Sequence, residues 1–221
     1  MSTNNNNGHK PVLKSIGEYG AVLVVRCETE DEAVNGVRAV LEGGIKAVEV
    51  TFTVPGAPSV IRRIKHEFGE SLLLGAGTVL TPEQAEDAVD AGALYLIAPN
   101  TDEKVIGAAK RLGVTVIPGA FTPTEVVRAW DLGADAIKIF PASLGGPSYI
   151  KALKAPLPHI PLIPTGGVDE RTVGEFLRAG AFAVGAGGAI FDIKRLKAKD
   201  YAGMTEVAKR FTTALKLGRE G

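Results

Sequence analysis

One unit recurs along this chain and limits what it can fold into. A stretch with helical periodicity ends at a glycine, and an apolar run begins one to three residues later. Gly44, Gly92, Gly113, Gly133 and Gly180 each hold that place. The apolar runs read as strands over residues 21–26, 47–52, 72–75, 94–98, 114–117, 134–140, 160–163 and 182–185. The helical stretches between and after them cover 30–42, 57–68, 82–91, 101–112, 123–132, 147–154, 169–179 and 204–217. A short lead-in over 14–19 and a short turn of helix over 193–197 complete the pattern. Thr81 and Thr122 each precede a proline at the first helical position, which marks a capped helix start. Strands alternating with helices imply parallel βαβ units. Eight such units predict an α/β fold, a closed (β/α)8 TIM barrel. An open doubly wound sheet is the structural alternative, but it usually has fewer units and a Gly-rich turn after its first strand. Here the first strand runs into Arg26-Cys27-Glu28, which has no such turn.

Barrels of this kind commonly run about 200–250 residues as one domain. The expected division is a disordered leader over 1–11, with four consecutive asparagines, and a single barrel domain over 12–221. The leader lacks the apolar core of a signal peptide. No apolar run approaches the roughly 18 residues that span a bilayer. No membrane partner is therefore expected, and the expected location is cytoplasmic. The 25 basic and 25 acidic residues balance without a basic block, so no nucleic-acid partner is expected either. One cysteine, Cys27, allows no intrachain disulfide and suits a reducing compartment. His9, His66 and His159 lie in the leader, in a charged helix and in a Pro-flanked loop. That scatter argues against a His-based triad or a zinc site, and no metal or cofactor is expected.

In a (β/α)8 barrel the chemistry sits at the C-terminal ends of the strands. Alternation in the second strand sends Ala47, Glu49 and Thr51 inward, and in the sixth strand Ala136, Lys138 and Phe140. The first strand ends in Arg26, on the face shared with Val22 and Val24. An acid, an amine and a guanidinium are thus expected at one barrel mouth. Spacing alone leaves two readings open. One is a buried ion-pair network. The other is a Schiff-base lysine with an acid–base partner, since a neutral amine attacks a carbonyl and a carboxylate can shuttle protons to and from substrate and water. Burial in a low dielectric, and a cation such as Arg26 nearby, would favour the neutral amine.

The seventh strand ends in Pro164-Thr165-Gly166-Gly167 and the eighth in Gly185-Ala186-Gly187-Gly188. Loops after these two strands are the recurrent phosphate site of such barrels. Glycines let backbone N–H groups approach an anion, and a following helix N-terminus adds a favourable dipole. Two such turns on adjacent strands favour a phosphorylated ligand over a pair of ordinary turns. Small residues at the ends of the third, fourth and fifth strands leave room at the mouth. Thr78 and Thr165 are candidate hydroxyl donors there, with a cap or turn bond as their alternative use. Cys27 reads as packing, because no histidine is placed to activate it. Trp130 and Phe176 read as core.

Taken together, Glu49-Val50-Thr51, Gly75-Ala76-Gly77-Thr78-Val79, Pro118-Gly119, Lys138-Ile139-Phe140-Pro141-Ala142 and Pro164-Thr165-Gly166-Gly167 resemble the 2-keto-3-deoxy-6-phosphogluconate aldolases, in order and in spacing. The resemblance covers about residues 12–218. It implies a homotrimeric barrel that cleaves the phosphorylated sugar acid to pyruvate and glyceraldehyde 3-phosphate without a cofactor. By the same resemblance, Lys138 forms the imine with pyruvate and Glu49 is the general acid–base. Thr78, Pro99, Phe140 and Thr165 surround the pyruvyl group, and Arg26 is the basic residue of the first strand. Gly166, Gly167, Gly187 and Gly188 form the phosphate loops. Two positions depart from the pattern. Thr53 stands at the substrate-binding position where many members carry an arginine for the substrate carboxylate. Gly188 stands at about the place of a serine in some members. Together they remove one charge-assisted contact and one hydroxyl donor. Asn100 and Gly146-Pro147-Ser148-Tyr149 are similar to the phosphogalactonate aldolases, while Pro164-Thr165 leans to the gluconate branch. The alternatives are therefore a phosphogalactonate or 4-hydroxy-2-oxoglutarate aldolase, or a trimeric assembly scaffold in which the pocket is incidental.

Overall fold

The computed structural model describes residues 9–220. Residues 1–8 of the expected leader, and residue 221, lie outside the described residues. Residues 9–11 belong instead to the first helix, α1 (His9–Tyr19). Eight parallel strands follow. They are β1 (Ala21–Val25), β2 (Ala47–Thr51), β3 (Leu73–Gly77), β4 (Tyr95–Ile97), β5, β6 (Ile137–Ile139), β7 (Leu162–Pro164) and β8 (Val184–Ala186). Strand β5 is one strand in two pieces, Thr115–Ile117 and Gly119–Ala120, separated at Pro118, which has no N–H to give to a ladder. The helices after α1 are α2 (Glu30–Glu42), α3 (Ala57–Phe68), α4 (Pro82–Asp90), α5 (Glu103–Leu112), α6 (Pro123–Asp131), α7 (Gly146–Lys154), α8 (Val173–Arg178), α9 (Ile193–Lys197) and α10 (Tyr201–Glu220).

The first piece of β5 pairs with β4 and the second with β6, so β5 joins a six-stranded sheet to a three-stranded one. The other seam is the parallel bridge between Thr165 and Gly185, just past β7 and within β8. Strand β8 pairs with β1 and completes the ring. The closed (β/α)8 barrel is the expected fold. All five glycines of the recurring unit have positive φ, from 72° at Gly113 to 102° at Gly92, where side-chain-bearing residues are strained.

The core has two shells. Val22, Ala47, Tyr95, Ile97, Ile117, Ala136, Ile163 and Ala183 fill the barrel interior, and Ile16 of α1 closes its N-terminal end. Leu23, Val25, Val48, Val50, Ile137 and Ile139 face the helices in the outer shell. Period-two alternation thus sorts the strands as expected. Phe176 is buried in the outer shell, while Trp130 is half-buried with its edge against the His159 ring. Cys27 packs in the outer shell, and burial, followed by the charge of Glu32, pushes its thiol up to about 11.

Two expectations shift. Helix α5 starts at Glu103 with Asp102 as its cap, and the Thr101 hydroxyl donates instead to Gly119 O at 2.9 Å. Helix α8 starts at Val173, not at residue 169. The Asp169 carboxylate accepts N–H bonds from Arg171 and Thr172 at 2.8 and 3.0 Å and holds that segment as a turn. The β7 glycine loop therefore runs into a turn, and the six-residue helix begins six positions past Gly167 where two were expected. Among the described residues no helix is long and apolar enough to cross a membrane.

Candidate active site

Strands β2 and β6 stand opposite each other in a ring of eight, and their inward side chains meet across the barrel. Lys138 Nζ lies 3.7 Å from Glu49 Oε1. The two residues are 5% and 1% exposed, so both charged groups are effectively withdrawn from water. Neighbouring strands leave them room. Gly75 and Gly119 are the register partners of Glu49 and Lys138. A Cβ at Gly77 would stand 2.6 Å from Glu49 Oε2, and one at Gly119 would stand 2.2 Å from the Pro99 carbonyl carbon. Glu49 Oε2 has no hydrogen-bond partner among the described residues. A buried carboxylate oxygen without a partner is costly unless a ligand or water supplies one.

Phe140 sits above the lysine, with Nζ 5.3 Å from its ring centre. The Phe140–Pro141 peptide is cis. The ring divides the mouth. On one side a cavity of about 350 Å³ is lined by Arg26, Phe140, Thr165, Gly166, Gly167, Gly187 and Gly188. On the other, a cavity of about 380 Å³ is lined by Pro99, Asn100, Gly119, Arg128 and Phe140, among others. The structure thus brings both glycine turns and Arg26 into one cavity. Arg26 is exposed at its rim, and the charged group in contact with Lys138 is the Glu49 carboxylate. The acid and the amine expected at one mouth thus meet, while Arg26 lines the glycine cavity with its side chain exposed.

Thr165 is held by backbone bonds to β6 and the turn after it, with its N–H on Ile139 O at 2.9 Å and its carbonyl accepting from Ala142 N at 2.8 Å. Its side chain fits because Gly185 has no Cβ, which would stand 2.1 Å from Oγ1. The hydroxyl makes a long 3.4 Å bond to Ile163 O. Thr53 and Thr78 line neither cavity. Thr53 Oγ1 is 2.6 Å from Thr51 Oγ1, which donates to Val25 O at 3.1 Å. Thr78 has φ 56°, a left-handed conformation that is costly for a β-branched residue and concentrates at functional sites.

Tyr95 escaped the reading of the sequence. It is fully buried beneath the pair and donates to Val48 O at 2.5 Å. Its position two residues before Ile97, on the inward face, was the available signal.

The comparisons agree with this architecture. The family model described as KDPG and KHG aldolase matches residues 13–207. The chain is 40% identical to the 2-dehydro-3-deoxy-6-phosphogalactonate aldolase of Escherichia coli K12, over 77% of this chain and 83% of that one. It is 32% identical to the 2-dehydro-3-deoxy-phosphogluconate aldolase of Treponema pallidum, over 90% of this chain and 95% of the relative. It also superposes with TM-score 0.83 on the KDPG aldolase of Legionella pneumophila, solved with pyruvate captured at low pH as a covalent carbinolamine. That match is 28% identical and covers 90% of this chain and 96% of that one.

Proposed function

The chain belongs to the KDPG and KHG aldolase family, and from this we propose that it is a class I aldolase, a carbon–carbon lyase, acting on 2-keto-3-deoxy-6-phosphogluconate. The observation that carries the reading is the buried contact between Lys138 Nζ and Glu49 at 3.7 Å, beneath a mouth with two glycine turns. Lys138 attacks the C2 carbonyl, and loss of water leaves a protonated imine. Glu49, through its unpartnered Oε2 or an intervening water, takes the proton of the C4 hydroxyl. The C3–C4 bond breaks, its electron pair enters the iminium to give an enamine, and glyceraldehyde 3-phosphate leaves. Protonation at C3 and hydrolysis release pyruvate and the free amine. No metal enters these steps.

The same reading gives the two ends of the substrate different surroundings. Gly166, Gly167, Gly187, Gly188 and Arg26 receive the phosphate. Thr78, Pro99, Phe140 and Thr165 surround the pyruvyl group. Thr53, tied to Thr51, offers the carboxylate a hydroxyl where an arginine would offer a charge. Assembly as a homotrimer and a cytoplasmic location follow from the same reading.

Borohydride reduction in the presence of pyruvate tests the chemistry. The adduct mass is expected on Lys138 and is lost in Lys138→Ala; an adduct that survives that substitution refutes the assignment, and no adduct in the wild type favours a scaffold. A second reading, cleavage of the galactonate epimer, is favoured by the 40% identical relative. Comparing kcat/KM for the two phosphorylated epimers decides between them.

A further inference from the structure

Strand β3 presents Gly75 and Gly77 to the barrel interior, so it offers Glu49 no side chain to lean on. Tyr95, one strand further round, fills that gap. Its ring lies over Gly75, where a Cβ would come within 2.3 Å of it. Gly75 is the register partner of Glu49. Beyond Gly75 the phenol reaches β2 and donates to Val48 O at 2.5 Å. That carbonyl belongs to the peptide unit from which Glu49 hangs. Tyr95 thus spans β3 and grips β2 at the residue before the acid.

We propose that Tyr95 is a positioning residue for Glu49: by holding the Val48 carbonyl and filling the space over Gly75, it sets where the Glu49 carboxylate meets Lys138. The proposal rests on the aldolase reading of the Lys138–Glu49 pair. Three observations support it. The hydroxyl is spent on a backbone carbonyl, so it steers Glu49 while leaving Oε2 free for a substrate or water proton. Tyr95 is fully buried among apolar groups, and a phenylalanine would fill the same space without a hydroxyl to satisfy. Burial, and after it the nearby Glu49 charge, holds the phenol well above its ordinary range, so it remains a donor wherever the enzyme works.

Tyr95→Phe keeps the ring and removes the grip. Misplacement of a catalytic group by a fraction of an ångström lowers turnover strongly. The expected result is a kcat lower by about tenfold or more, KM within about twofold, a displaced kcat–pH profile, and pyruvate still trapped on Lys138 by borohydride. In a Glu49→Gln background the same substitution is expected to change kcat by less than about twofold, because the group it positions is gone. A Tyr95→Phe enzyme with wild-type kcat and pH profile overturns the proposal. So does an equal fold loss in both backgrounds, which would make Tyr95 a packing residue only. Failure of pyruvate to trap on wild-type Lys138 instead overturns the aldolase reading beneath it.

Discussion

A methyl group at Gly77 would stand 2.6 Å from Glu49 Oε2, closer than any side chain tolerates, so the carboxylate would have to turn or retreat. Gly77→Ala therefore tests whether the place of Glu49, as distinct from its presence, matters. The expected outcome is a kcat lower by about 10–100-fold, with stability reduced by about 1–3 kcal/mol from overpacking, read by steady-state kinetics and urea unfolding. Lys138 illustrates how far residue type alone can be read. Alternation placed it inside, and a buried lysine must be paired or at work. It is paired, with Glu49. Alternation does not say how far each charged side chain reaches inward: Arg26 shares the inward face of its strand but lies one residue past β1 and is exposed. Tyr95 was legible as inward-facing, but its bond to Val48 crosses an intervening strand and leaves no trace in local spacing.

At the scale of elements, the starts of α4 and α6 were legible from a threonine cap followed by proline. Thr122 accepts from Glu125 N while the Glu125 carboxylate accepts from Thr122 N, a reciprocal pair that satisfies two donors at the start of α6. Thr122→Ala is expected to cost about 1 kcal/mol in chemical denaturation, the usual worth of such a cap, with little change in the kcat of the folded enzyme. Strand lengths were less legible. The run 134–140 reads as one strand, yet the ladder covers Ile137–Ile139. Asp135 turns its carboxylate to Val116 N at 2.9 Å, and Pro141, with no N–H to give to a ladder, stops the run. The α8 start was misplaced because Asp169 can cap a turn as readily as begin a helix, and its choice depends on Arg171 and Thr172 beside it.

At the scale of the whole molecule, burial on both faces of the barrel wall makes stability sensitive to alkali. Cys27 keeps its proton to about 11 when folded, against 9.0 for the ordinary thiol, and the Tyr95 phenol is shifted the same way. Unfolded chains lose these protons first. The stabilisation is thus fully present below pH 9 and falls as pH rises toward 11. Unfolding free energy measured across that window is expected to decline, and more steeply in wild type than in Cys27→Ala. A second expectation concerns metal. Among the described residues no group of three or more His, Cys, Asp or Glu side chains is placed to hold a metal ion. Treatment with EDTA is expected to leave cleavage unchanged, and activity lost to EDTA and restored by a divalent cation would point to a metal-dependent mechanism.

The sequence spelled out the barrel, because a local code recurs along it: five helices end at a left-handed glycine, several begin at a side-chain cap, and apolar strands alternate with period two. Those signals act within about 30 residues and do not need the rest of the chain. It also determined which side chains face inward. Which of them meet depends on closure of the ring. Glu49 and Lys138 are 89 positions apart in the chain and meet only when ring closure sets β2 opposite β6. Gly75, Gly77 and Gly119 matter because of the side chains and backbone that other strands bring over them, and Tyr95 acts on Glu49 across a strand that contributes no side chain between them. Distances through a barrel are set by closure and strand stagger, which are properties of the ring rather than of any one unit.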